Sequence, residues 1–436
     1  MIRTRLSVMM FLQFFVWGAW YPLVFGYLPE LKFTDNQQFM VLACFNISAI
    51  VAMFFSTQFA DRNFSAERFL SFSMLVAGLS MLGLAFTKDF WPFFALMLVH
   101  CLFFVPTISI TNSIAFANVQ DPQRDFGLVR LWGTIGWIAA SWPFVLILAD
   151  WTKVPDFGTV PFTGWLGAVL GNGKTDDALV QATSYTFIAG GIASLALAAF
   201  SLVLPHTPPK RAAAGESNLA WLESLKLLRV PFMLVLFIVT FIDSTVHQCY
   251  FVWTGRYLQS IGIPANWVMP AMSVGQFAEI GTMAVLGFFL KRLGWRWTMT
   301  IGILGHAVRF AVFALWPEPA PAVFVNVLHG VCYAFFFATV YIFVDEFFPK
   351  DARSSAQGLF NLLILGIGPL VGNFIGPRLV TYFTQTLPSG EKVVDFSSMF
   401  LIPSGTAVVG AVLLLLFFHP PKTAGPSDGK VAAPAH

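Results

Sequence analysis

Gly287-Phe-Phe-Leu-Lys-Arg-Leu-Gly-Trp-Arg296 sits between two long apolar runs and puts Lys291, Arg292 and Arg296 into a stretch otherwise fit for hydrocarbon. Such a run reads as a turn at a membrane surface. Its charged heads stay in water while flanking apolar windows of about 20 residues cross the bilayer. An earlier stretch has the same design, with Ala60, Asp61 and Arg62 following one apolar run and Arg68 opening the next. The duplication predicts two related bundles of membrane helices, an architecture that suits movement of a solute.

Composition agrees with that reading. Hydrophobic residues make up 57% of the 436 positions and charged residues 11%, which argues against a soluble enzyme. The formal charge of +3 is spread over many turns and forms no basic stripe, so nucleic acid is not an expected partner. Cys44, Cys101, Cys249 and Cys332 lie far apart in apolar spans, without the spacing of a disulfide or metal site, and read as packing residues. Arg3 and Arg5 before an apolar run imitate a secretory signal. The run is long, carries tryptophan and lacks a small-residue cleavage site, so it reads as a retained first helix.

Twelve apolar windows follow along the chain, at 5–28, 38–60, 68–87, 91–117, 127–149, 183–204, 232–257, 267–290, 297–316, 321–347, 356–384 and 397–419. The expected fold is all-α, with twelve transmembrane helices in two six-helix bundles. One bundle covers 1–205 and the other 231–419, joined by a linker at 206–230 and followed by a disordered tail at 420–436. Within the linker, Leu219, Trp221, Leu222, Leu225 and Leu228 alternate with Glu223 and Lys226, as in an amphipathic helix on the membrane surface. Lys and Arg gather in the tails and the even-numbered turns, which places both termini in the cytoplasm. The loop from Trp151 to Ala182 reads as an outer cap.

Polar groups inside the spans are the places to look for function, because each carries a penalty unless it meets a partner or a wet cavity. The first span offers Gln13, Trp17 and Tyr21 at helical spacing. Pro106 in the fourth span precedes Thr107, Ser109, Thr111, Asn112 and Ser113, a cluster compatible with a lined path or with close helix contact. Arg130, Thr134 and Trp137 form one stripe of the fifth span, suited to a flat polar ligand; alternatively Arg130 snorkels to the surface. Asp243 and His247 share a face of the seventh span, beside Gln248. Gln276 and Glu279 share one in the eighth, and His329 and Tyr333 one in the tenth. A buried carboxyl, Glu279 or Asp243, can load and release a proton. The competing reading is a static ion pair of Glu279 with Arg130 or Arg309. No His-x-x-x-His, Gly-x-Ser-x-Gly or P-loop pattern is present, so neither metal nor cofactor is expected.

The charged turns resemble those of the major facilitator superfamily, with Asp61 and Arg62 forming a degenerate first copy and Lys291 and Arg292 part of the second, an expected inner gate. A narrower likeness covers most of the chain. Phe11 to Trp20, Pro106 to Asn112, Arg130 to Trp137, Gln276 to Glu279 and Arg353 to Gly358 resemble the nucleoside:proton symporter family. That resemblance implies that Arg130, Thr134, Trp137, Gln248, Gln276 and Glu279 surround a nucleoside, with His329 and Tyr333 at two further pocket positions. The chain departs from the family pattern at Phe251 (asparagine in the family), His329 (tyrosine), Tyr333 (phenylalanine) and Ala334 (an acid). The proton route is thereby open between Glu279, Asp243 and His247. The expectation is a monomeric importer of the inner membrane whose partners are a small-molecule substrate, protons and lipid. A carrier of sugars or another polar metabolite, and a non-transporting membrane sensor, are the alternatives.

Overall fold

The computed structural model describes residues 2–55, 64–119, 122–209, 228–347 and 358–420. Asp61 and Arg62, most of the expected amphipathic linker and the tail beyond 420 lie outside these residues. The long helices are apolar on nearly every side, as helices sandwiched between lipid and other helices must be. Among the described residues nine are long and apolar enough to cross a membrane.

In chain order the main helices are α1 (Ile2–Glu30), α2 (Asp35–Phe55), α3 (Ala66–Leu84), α4 (Phe90–Asn118), α5 (Pro122–Ser141), α6 (Asp176–Ser201), α7 (Pro231–Ser260), α8 (Val268–Leu315), α9 (319–347), α10 (Gly358–Tyr382) and α11 (Phe396–Phe417). Helices α1 to α6 pack chiefly on one another, and so do α7 to α11. Where the two groups meet, α1 lies on α7, α2 on α10 and α5 on α8.

The charged stretch from Gly287 to Arg296 holds a tight break between two helices. The first runs through Lys291 and Arg292, and Gly294 interrupts it with a φ of 73° and a ψ of 175° that suit only glycine. The two spans expected at 267–290 and 297–316 lie on either side of that break and share the label α8, the first carrying Gln276 and Glu279 and the second His306 and Arg309. The Lys291 and Arg292 side chains are exposed, and Arg296 meets His419 at 2.9 Å.

Elsewhere proline sets the breaks. Helix α5 stops at Ser141 and a five-residue helix restarts at Pro143, so the fifth window of 127–149 is two helices. The expected cap loop is folded. It contains a helix at Phe162–Gly171, and Lys174 Nζ donates to the carbonyls of Ile147 and Ala149. Asn266, just ahead of α8, donates to the carbonyls of Val145 (3.3 Å) and Val169 (3.1 Å). This clasp joins the halves at the end of the bundle opposite the N terminus. At that same end Thr381 Oγ1 donates to Asp35 Oδ2 at 2.8 Å, and Arg378 donates to Asn36.

Candidate substrate chamber and a buried polar cluster

Two groups of polar side chains occupy the interior, one between the halves and one within the second half. The first is framed by aromatic rings. Trp17 stands edge-on to Trp137 (5.4 Å between centroids) and stacks on Phe45 (5.1 Å), and Tyr21 meets Phe251 at 5.5 Å. Helices α1, α2, α5 and α7 thus each give a ring to one box. Arg130, a turn below Thr134 on α5, places its guanidinium 4.0 Å above the ring of Phe14, a cation–π contact with α1. The Arg130 side chain is part-buried in this contact.

Across the interface, Glu279 on α8 is half-buried and makes no ion pair within hydrogen-bond range among the described residues. Among the described residues Arg130 is the charged group near Glu279, and the Tyr333 hydroxyl on α9 lies near both. The three come from three helices and from both halves. Gln276, one turn from Glu279, has a buried Oε1 with no hydrogen-bond partner in the protein. So does the indole nitrogen of Trp17. Donors and acceptors left over beside a half-buried carboxyl and aromatic faces can take a ligand with hydroxyls and a planar ring. Gly330 makes this approach possible, since a Cβ there would strike the backbone of Glu279.

Gln248 is engaged by hydrogen bonds across the interface. Its Nε2 donates to Asn373 Oδ1 (2.8 Å) and to the Tyr21 hydroxyl (3.1 Å), and Asn373 Nδ2 donates in turn to Asn46 Oδ1 (2.8 Å). Four helices, α1, α2, α7 and α10, are tied by this chain of amides across the interface. In the fourth-span cluster Thr107 accepts from Gln13 (2.8 Å) and Thr111 donates to the Thr107 carbonyl (3.0 Å), while the buried Oδ1 of Asn112 has no hydrogen-bond partner in the protein.

The second group lies inside the later half and contains Asp243, His247, His306, Arg309 and His329. Arg309, fully buried, donates from Nη2 to His306 Nδ1 (2.8 Å) and from Nη1 to His329 Nδ1 (3.1 Å), and lies 4.0 Å over the Tyr250 ring. His306 Nε2 faces Asp243 Oδ1 at 3.6 Å. His247 stacks on His329 with centroids 5.0 Å apart. His329 thus belongs to this cluster, while Tyr333, one turn on, belongs to the chamber. Arg309 serves Asp243 and the histidines instead of Glu279. Among the described residues no set of His, Cys, Asp and Glu is disposed to hold a metal ion, and Arg309 already occupies two of the ring nitrogens.

Comparison with known proteins decides the relationship. A sequence model described as Nucleoside H+ symporter matches residues 1–162 and 147–423. The chain belongs to the nucleoside:H+ symporter family. It is 33% identical over 424 residues to the putative nucleoside transporter YegT of Escherichia coli K12, covering 95% of this chain and 93% of that protein. It is 28% identical to the xanthosine permease of the same organism, over 96% of both chains. The crystal structure of a point mutant of the nucleoside transporter NupG shares its fold, with a TM-score of 0.80 at 24% identity over 96% of this chain and 100% of that one. The symporter family and these relatives are transporters, not enzymes. In this chain Asn46, Asn373 and His306 are interior polar residues that the sequence reading does not single out. Asn46 and Asn373 each stand among small or apolar neighbours and find each other only through packing between helices, while His306 meets Arg309 one turn on along its own helix.

Proposed function

We propose that the protein is a secondary active transporter that carries nucleosides together with protons by alternating access. In this reading the chain is a major facilitator with twelve spans in two six-helix bundles, 1–205 and 231–419, acting as a monomer in the inner membrane with both termini cytoplasmic. The observation that carries the reading is the convergence of Arg130, Glu279 and Tyr333 from both halves beside the box of Trp17, Phe45 and Trp137. The rings stack on the base, as aromatic faces do. Gln276 and Glu279 read hydroxyls and base edges, Thr134 adds a hydroxyl to the same wall, and Arg130 sets the charge that Glu279 feels.

Coupling follows from charge. Glu279 binds a proton when the chamber faces the proton-rich side and releases it on the other, so that cargo and proton move together. One charge crossing 100 mV supplies about 2.3 kcal/mol, enough for roughly fiftyfold accumulation. The test is uptake of labelled uridine and adenosine into proteoliposomes with and without an inward proton gradient. Accumulation only with the gradient is expected, and Glu279→Gln should lose it while keeping exchange. Gradient-independent uptake would refute coupling; uptake of sugars in place of nucleosides would refute the cargo.

A further inference from the structure

We propose that Asp243 is a proton-binding site of the transporter, set apart from the Glu279 chamber, with Arg309 as its counter-charge and His306 as its positioning residue. The inference rests on the symport reading for its transport consequence, but the site itself is a claim about one carboxyl group.

The hydrogen-bond chemistry of Arg309 fixes the cluster. A guanidinium only donates, so His306 Nδ1 and His329 Nδ1, at 2.8 and 3.1 Å from it, must both be bare acceptors. Each ring then carries its proton on Nε2. His306 Nε2–H is thereby turned to the Asp243 carboxyl, 3.6 Å away, and neither imidazole can accept a further proton without losing Arg309. That leaves Asp243 and His247 as the open acceptors. Asp243 is fully buried, and neither of its oxygens has a hydrogen-bond partner in the protein; His247 Nδ1 also lacks one.

A static ion pair would look different. A buried carboxylate that serves only to hold helices together is normally saturated by short charge-assisted bonds. Here the cation spends its two forks on imidazoles, and the acid is left with one donor beyond bonding distance. The carboxyl can therefore gain or lose a proton with little else rearranging. His247 lies one turn from Asp243 on α7 and reaches Phe251 of the chamber wall, with ring centroids 5.5 Å apart, so the cluster abuts the substrate side.

The helices packed on α7 bring few other ionisable groups towards this carboxyl. Helix α7 itself adds Tyr250, α8 gives His306 and Arg309, and α9 gives His329 and Cys332. Helix α1 brings Tyr21 and α10 brings Asn373, both to Gln248, while Arg378 of α10 is turned to Asn36 and Phe374. Helix α11 carries no titratable residue. Loading is a plain protonation: a proton from water adds to one Asp243 oxygen, giving the neutral acid, and leaves to water when the site is opened.

Two measurements test the site. Infrared difference spectra of the purified full-length protein between acid and alkaline pH should contain a buried carboxylic-acid C=O band that is missing in Asp243→Asn. A band that persists unchanged in the variant overturns the proposal, whatever the cargo is. In proteoliposomes, Asp243→Asn should lose at least tenfold of gradient-driven nucleoside accumulation while retaining exchange; accumulation equal to the parent's overturns it. If Asp243→Asn fails to fold, His306→Ala takes its place, because losing the N–H that faces the carboxylate should move the transport pH profile upward by about one unit. An unmoved profile overturns the proposal. Failure of the parent protein to accumulate any nucleoside under a gradient would instead sink the symport reading, and the infrared result would still decide Asp243.

Discussion

Asn373 shows how much of the interior depends on a single amide. It accepts from Gln248 and donates to Asn46, so truncating it leaves two buried amides short of partners. Asn373→Ala should cost about 1–3 kcal/mol, read as a fall in the thermal denaturation midpoint in detergent. An unchanged midpoint would mean the network contributes nothing. Legibility in the sequence follows the same physics. Arg130, Asp243, Glu279 and Arg309 stand out because a charge inside an apolar span demands an explanation. Asn373 does not, because one amide beside Gly372 imposes no pattern until α7 and α10 are brought together. His306 is hidden for a related reason: its meaning comes from Arg309 one turn on and from Asp243 on another helix. Gln248 is conspicuous but its facing is not, since spacing fixes which residues share a stripe and not what the stripe meets.

At the scale of elements, apolar length makes the helices readable and local backbone chemistry makes their ends less so. The charged stretch at 291–296 reads as a turn in the sequence, and the structure breaks the helix there, but the cations do not say that Gly294 alone takes the non-helical backbone. Its φ of 73° makes a clean test, because a methyl group there would meet nothing within 4 Å. Gly294→Ala should therefore act through backbone strain alone, at about 1–3 kcal/mol. A variant as heat-stable as the parent would show that the bend does not need glycine. The wide turn of Tyr333–Ala338 in α9 is not legible either, since nothing in its composition marks a π-helical turn. It begins at the tyrosine that Arg130 and Glu279 both reach, and such turns often lie at functional positions.

For the whole molecule, the decisive contacts are those between the halves at the end opposite the N terminus. Thr381 with Asp35, Arg378 with Asn36, and Asn266 with the carbonyls of Val145 and Val169 would have to part for that end to open. Asp35→Cys combined with Thr381→Cys should allow a short bifunctional thiol reagent to lock it. Transport should then fall more than tenfold and recover on cleavage of a reducible linker. Full transport in the locked protein would exclude a rocking motion at this seam. Native cysteines are buried, which limits background labelling.

The elbow in α8 has a mechanical consequence. Glu279 and His306 stand on the two helices that Gly294 joins, so the φ and ψ of one residue govern how the arm nearest the cargo is angled to the arm that carries the imidazoles.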